Sequence, residues 1–221
     1  SGCSMTEPMG GGGSDPKMLQ TTAVRDGDEW VINGHKWWTS DGLDADFLLV
    51  MARTDMDAHP YEGTSIILVP TDTPGVEIVR NVPHLGGHGI TERTGGHAEI
   101  KYKNVRVPVE NTVGEEGEGF RVAQMRLGGG RRTHCMRYSG MAERSLDIAK
   151  AYLEEREAFG SDLSEKQSLR HRIAEAETKL HMARTGVRHA ARELDQSDAR
   201  IEVAMSKVYT ARVTNEIIDL A

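Results

Sequence analysis

The chain has 221 residues and a formal net charge of -7, with a pI near 5.7, which excludes a general affinity for nucleic acid or an anionic membrane surface; any anionic ligand must be held by local charges. Its length allows one large domain or two small ones with a real core, and no run of about 18 apolar residues offers a membrane span. Two cysteines, Cys3 and Cys135, form no disulfide framework and fit a reducing compartment. The opening Ser1-Gly2-Cys3-Ser4 has neither the charged nor the apolar region of a signal peptide. The expected location is therefore cytoplasmic, of bacterial type, or an organelle if a targeting segment lies outside this chain.

In chain order, Thr6-Glu7-Pro8 comes first, followed by Gly10 to Gly13 and Ser14-Asp15. The glycine run alone reads as a flexible loop. It is not a phosphate-binding P-loop, because no Gly-Lys-Ser/Thr follows, nor a dinucleotide fingerprint, because no strand and helix flank it. Residues 17 to 107 then read as strands: Leu19 to Val24, Trp30 to Asn33, Phe47 to Ala52, Ser65 to Val69, Val76 to Val79 and Ile100 to Val107. Asp26-Gly27, Thr73-Pro74-Gly75, Gly86-Gly87 and Pro108 supply turn chemistry between them. Strands at this spacing without intervening helices predict an antiparallel barrel or sandwich, with the nearly all-apolar Ser65 to Val69 at its centre.

The stretch Ile32 to Ser40 organises this region. Asn33-Gly34 between β-prone runs predicts a type I′ hairpin turn, whose two central residues need positive φ. The hairpin would carry Trp37 and Trp38, and strand alternation would place one in the core and the other, beside a hydroxyl, on a flat site suited to a planar heteroaromatic ligand. Without further context Trp38 reads equally well as a core residue.

Near Gly114 to Gly119 the apolar period becomes 3.6; Gly114-x-x-Gly117-x-Gly119 is weak as a nucleotide motif. Phe120, Ala123 and Leu127 begin a helix that continues, after Gly128-Gly129-Gly130, through Ala142, Leu146, Ala149 and Leu153. Each helical glycine costs about 1 kcal/mol relative to Ala, so the run predicts a kink or a close approach. A second helix is predicted from Ser164 to Asp195, with Leu169, Ile173, Ala176, Leu180, Ala183, Val187, Ala190 and Leu194 inward, and a third with Ile201, Ala204, Val208, Ala211 and Ile218 inward. Short connections make these most of an antiparallel bundle. The fold class is α+β: a β-barrel or sandwich domain over 1–116, then an incomplete helical bundle over 117–221. With no initiator Met and an end at Ala221 in mid-pattern, the chain is expected to be a fragment truncated at both ends.

Taken in order and spacing, Thr6-Glu7-Pro8, the turn ending in Ser14-Asp15, Asn33-Gly34-x-Lys36-x-Trp38-x-Ser40, Phe120, Arg156-x-x-Phe159-Gly160 and Gln167 resemble the acyl-CoA dehydrogenase family over nearly the whole chain. Lys36-Trp37-Trp38 and His134-Cys135-Met136-Arg137 are most similar to the subgroup of family members 10 and 11 and bacterial relatives, although His134 and Arg137 receive no role. The resemblance implies an FAD-dependent oxidoreductase of fatty acid β-oxidation that converts an acyl-CoA to a trans-2-enoyl-CoA, with hydride passing to flavin N5 and electrons to an electron-transferring flavoprotein. Alternatives are a same-fold flavin oxidase, a non-catalytic fragment or assembly module, and an unrelated β-barrel binding protein.

The resemblance also assigns residues. Met5, Thr6, Glu7, Ser14, Trp38, Thr39 and Ser40 would bind the flavin, with Ser40 at N5. Arg156, Phe159 and Gln167 would reach the adenosine diphosphate part of FAD on a neighbouring subunit, which implies a homodimer or homotetramer. Ser14, Gly128, Gly130 and Arg131 would line the acyl-CoA side. Gly130 stands where some members carry a catalytic Glu, so the base is expected beyond Ala221. The plainer readings are a solvated Arg131 and a local surface role for Arg156 and Gln167. His84, His88 and His97 lack partners for a closed metal set, no metal is expected, and no nucleophile elbow is present.

Overall fold

β-Branched and aromatic runs punctuated by Gly and Pro become strands in the first half of the chain, and the 3.6-period stripes become helices in the second. The computed structural model describes residues 1–8, 10–84 and 96–221; the Gly86-Gly87 turn and His88 lie outside the described residues. Two compact units are present, Ser1–Gln124 and Met125–Ala221.

The first unit contains β1 (Gly2–Ser4), β2 (Thr22–Asp26), β3 (Glu29–Ser40), β4 (Phe47–Arg53), β5 (Thr64–Pro70), β6 (Val76–Asn81) and β7 (His97–Pro108). They form one sheet in the order β1-β4-β2-β3-β7-β6, with β5 also paired to β4. The sheet is mixed rather than purely antiparallel: β1 and β2 both run parallel to β4. Among the described residues its path does not close into a barrel. Trp30, Ile32, Leu48, Val50, Ile67, Ile100 and Val105 fill its core.

Two expectations are corrected here. Asn33-Gly34 is not a turn, because β3 runs through it. The hairpin turns instead at Gly27-Asp28, where Asp26 pairs with Glu29 and Gly27 has φ +63°, a Gly at the first central position as in a type II′ turn. Gly34 lies at a β-bulge against β7, and a Cβ there would overlap the Thr21 side chain. Asn33 instead bonds across to β7, accepting from Asn104 N at 2.9 Å. The second correction concerns β5, which among the described residues has a strand neighbour on one side only. The segment that follows β7 covers its other side, with Val113 N donating to Ile66 O at 2.8 Å and Gly117 N donating to Ser65 Oγ at 2.9 Å. Gly119 packs so close that a Cβ would lie 2.6 Å from the Ser65 carbonyl carbon.

The helix α1 (Gly119–Glu155) runs without a break through the three glycines, and its residues from Met125 onward belong to the second unit with α2 (Gln167–Glu193) and α3 (Arg200–Leu220). A two-stranded hairpin, β8 (Glu157–Ala158) and β9 (Ser161–Asp162), joins α1 to α2. Ala142 and Leu146 of α1, Ala176, Leu180 and Ala183 of α2, and Val213 and Ile217 of α3 form the core. Salt bridges Glu143 to Arg184 and Lys150 to Glu177 join α1 and α2, which run antiparallel.

The stripe expected for α3 faces out: Ile201, Val208 and Ile218 are exposed, whereas Val203, Thr210, Val213, Thr214 and Ile217 are buried. Both stripes have helical spacing. The buried one is disguised by two threonines; Thr214 satisfies its hydroxyl inside the helix by donating to Thr210 O at 2.9 Å. No described helix is long and apolar enough to cross a membrane.

Candidate functional site

Met5-Thr6-Glu7 is strapped to β3. Trp37 N donates to Thr6 O at 2.9 Å, and Lys36 Nζ donates to Met5 O at 2.8 Å and to Glu7 Oε1 at 3.0 Å. The buried Glu7 carboxylate also accepts from Gly12 N, Gln20 N, Thr21 N and, at 2.5 Å, Thr21 Oγ1. The glycine run is therefore wound around an internal anion, and a Cβ on Gly11 would overlap Glu7. The Gly12 amide, which a phosphate-binding loop would offer outward, points inward. Burial pushes the Glu7 carboxyl up, but Lys36, the Thr21 hydroxyl and the Gln20 and Thr21 amides together outweigh it and hold it at about 2. Burial pulls the Lys36 ammonium down to about 8 against the attraction of Glu7. The Glu7 side chain is thus turned inward, to Lys36 and the Gly12, Gln20 and Thr21 donors.

Beyond Lys36, the register with β7 shifts before Thr39. Lys36 and Thr39 are both fully buried, so the two residues between them leave the core together. Trp38 adopts φ +54° and is 38% exposed, Trp37 is half-buried, and the core tryptophan is Trp30. The expected alternation, with one of the pair inside, fails because a bulge adds a residue. Trp38 meets Trp37 and His97 edge-on, with centroids 5.9 and 5.4 Å apart. Thr39 turns inward to Ser4 Oγ at 3.1 Å, whereas the exposed Ser40 lies with Oγ 3.0 Å from His97 Nδ1.

Thr6 is half-buried and Ser14 exposed. Buried Trp37 Nε1 has no hydrogen-bond partner among the described residues. An exposed indole face, an outward hydroxyl and an orphaned indole N–H fit the flavin ring that the resemblance implies. His97 went unassigned in the sequence; only the cross-strand register, Ser40 opposite His97, brings it to the site.

The other candidate residues lie in the second unit. Phe159, φ +53°, and Gly160, φ +80°, occupy the centre of the two-residue turn between β8 and β9. A left-handed Phe costs roughly 1–2 kcal/mol, and its ring is 96% exposed. Lys166 Nζ ties this turn to the start of α2, donating to Ser161 Oγ at 2.6 Å. Arg156 and Gln167 are exposed on either side, and Arg156, Phe159 and Gln167 all lie between the end of α1 and the first residue of α2.

Gly128 and Gly130 are half-buried and Arg131 is exposed. Among the described residues of the unit, no atom apart from the helix's own adjoining backbone lies within 4 Å of a Cβ built on Gly128, Gly129 or Gly130, so the close approach expected there does not come from this unit. Arg137 packs over the Tyr138 ring at 5.2 Å, with His134 on the same ring. Among the described residues no group of three or more His, Cys, Asp or Glu is placed to hold a metal.

Comparison with known proteins adds the following. The family model for the acyl-CoA dehydrogenase middle domain matches residues 2–105, and that for the acyl-CoA dehydrogenase C-terminal domain matches residues 117–221. The chain is 45% identical over 223 residues to a Mycobacterium tuberculosis protein named "Probable acyl-CoA dehydrogenase FadE2", covering 99% of this chain and 54% of that protein. It is 41% identical to acyl-CoA dehydrogenase family member 11 of Gallus gallus, covering 98% of this chain and 28% of that protein. The chain thus spans about half, or less, of the length of these relatives. The solved glutaryl-coenzyme A dehydrogenase in complex with glutaryl-CoA superposes with a TM-score of 0.88 at 30% identity, covering 100% of this chain and 54% of that one.

Proposed function

The chain belongs to the acyl-CoA dehydrogenase family, and from that premise we propose that it carries the flavin-facing and acyl-facing residues of an FAD-dependent acyl-CoA dehydrogenase. The observation that carries the reading is the β-bulge at Trp37-Trp38, which sets Trp38 and the Ser40 hydroxyl outward while Lys36 holds Met5 and Glu7 against the same strand. Bound FAD would supply the hydride acceptor for α,β-dehydrogenation of an acyl-CoA thioester to the trans-2-enoyl-CoA.

This chain's residues then have distinct tasks. Trp38 covers the ring and excludes water, with Thr6 and Ser14 at its edge. Ser40 presents a preorganised hydroxyl where negative charge develops, so no reorganisation is needed at the moment of reaction. Gly128 and Gly130 leave room for the acyl chain beside Arg131. Arg156 offers a charged fork that suits a pyrophosphate, and the outward Phe159 gives it a flat apolar neighbour. Arg156, Phe159 and Gln167 act on the cofactor of a second copy, which makes the active form a homo-oligomer. Gly130 has no side chain to remove a proton, and the resemblance assigns that task to a carboxylate outside these 221 residues. Electrons leave to an electron-transferring flavoprotein.

Titration of the protein, purified from its natural gene, with FAD tests this reading: Trp38→Ala and Arg156→Ala should each weaken binding about tenfold or more. Unchanged affinity in both removes the assignment. A second reading, a non-catalytic assembly module, takes its support from the missing carboxylate at Gly130 and requires that acyl-CoA never reduces bound flavin. Oxygen consumption during turnover would indicate a same-fold oxidase.

A further inference from the structure

One imidazole beside the site has no task in the reading above. His97 pairs directly with Ser40 across β3 and β7. Its Nδ1 lies 3.0 Å from Ser40 Oγ, and its ring meets the edge of Trp38. It therefore touches both of the outward side chains assigned to the flavin ring. The backbone N–H of His97 donates to Asn81 Oδ1 at 3.0 Å, and the His84 ring stands edge-on behind it, 4.8 Å between centroids. Asn81 thus fixes the His97 backbone, and His84 packs against its ring.

We propose that His97 is a positioning residue of the flavin site, which sets the direction in which the Ser40 hydroxyl presents its single proton. The proposal rests on the functional reading given above. A serine hydroxyl has one proton and two lone pairs, and a neutral imidazole has one N–H and one bare nitrogen. With Nδ1 protonated, His97 donates to Ser40 Oγ and leaves the hydroxyl proton free for a ligand. With Nδ1 bare, it accepts a hydrogen bond from the Ser40 hydroxyl, whose oxygen then faces a ligand only as an acceptor. The exchange needs no movement of a heavy atom. A flavin ring nitrogen accepts a hydrogen bond when oxidised and donates one when reduced, so the direction that His97 gives the hydroxyl favours one form over the other.

The neutral state that this exchange requires is favoured locally. Burial and the neighbouring His84 hold the His97 imidazole below the ordinary histidine range, against the pull of Asp41 from the turn after β3.

The test compares substitutions that separate hydrogen bonding from packing. His97→Asn keeps an amide near the Nδ1 position, while His97→Phe keeps a ring against Trp38 and His84 but cannot bond to Ser40. The readout is the ratio of the protein's affinities for oxidised and reduced FAD, obtained from the midpoint potential of the bound flavin, with thermal unfolding as the control for folding. His97→Phe is expected to change that ratio about tenfold, the scale of one net hydrogen bond, and His97→Asn to stay within about threefold of the parent. His97→Gln, whose amide reaches the Nε2 position instead, is expected to follow Phe and replaces it if Phe does not fold. The reverse order, Phe like the parent and Asn impaired, would mean that His97 acts by packing and would overturn the proposal, as would parent-like values in all variants. A parent that binds no FAD brings down the functional reading and this proposal together, whereas a parent that binds FAD leaves the variants to decide on His97 alone.

Discussion

The chain has two glycine runs, and the structure explains them in opposite ways. At Gly11 a side chain is forbidden because the Glu7 carboxylate occupies its place, and a Cβ on Gly12 would lie 3.2 Å from the Leu19 backbone. In α1, Gly128, Gly129 and Gly130 have open space where a Cβ would go, among the described residues of their unit. In the first run Gly11 and Gly12 are needed by this chain's own fold, whereas Gly13 has open space around it. The second costs its helix about 1 kcal/mol per residue relative to Ala and gains nothing from its own unit, so its reason is external, which the proposed function supplies as the acyl chain of the substrate.

The comparison is broken most forcefully at the anion around which the first run winds. Glu7→Gln would leave Lys36 fully buried without its counter-charge, and urea unfolding should show a loss of about 3–5 kcal/mol. Adding Lys36→Met should recover much of it; a loss under about 1 kcal/mol in the single variant would show that the turn does not depend on this pair.

The pH dependence is nearly as large. The folded Glu7 carboxyl lies at about 2, below its ordinary 4.5. The folded state thus binds fewer protons between these values, and the contribution, about 3 kcal/mol, is fully present above pH 4.5 and is lost as pH falls through about 2. Acid unfolding of the parent should show that slope, and Glu7→Gln should flatten it.

Gly11→Ala comes next, at about 1–3 kcal/mol by overpacking. A neutral result would mean that the turn can relax away from Glu7. The smallest effect has the opposite sign: Gly129→Ala should raise the stability of the helix by up to about 1 kcal/mol, read as a higher midpoint of thermal unfolding. A lower midpoint would reveal an internal contact at the glycines.

What could be read from the sequence divides along the same line between local and non-local causes. Local period and composition placed β4, β5, β7 and the α2 stripe, because a strand or helix face repeats along the chain itself. Asn33-Gly34 misled because turn statistics see only neighbours in sequence, whereas the glycine is required by Thr21, a residue on the adjoining chain segment. Trp37 and Trp38 could not be assigned by alternation, since a bulge is a property of two strands and of their register. On α3, Thr210 and Thr214 hid the buried face by looking polar while one bonds within its own helix. The motifs led to Trp38, Ser40 and Phe159, which the structure shows to be exposed. They gave no hint of His97, which the fold brings to Ser40 from 57 residues away.

The central proposal is that the assigned residues of the two units work on FAD and acyl-CoA, and the most direct test is a flavin spectrum of the protein purified from its natural gene, followed by anaerobic addition of medium- and long-chain acyl-CoAs. Bound yellow FAD that bleaches with one of them, and a Trp38→Ala variant that loses the flavin, is the expected result. A colourless protein that takes up no FAD, or bound flavin that no acyl-CoA bleaches, would contradict it.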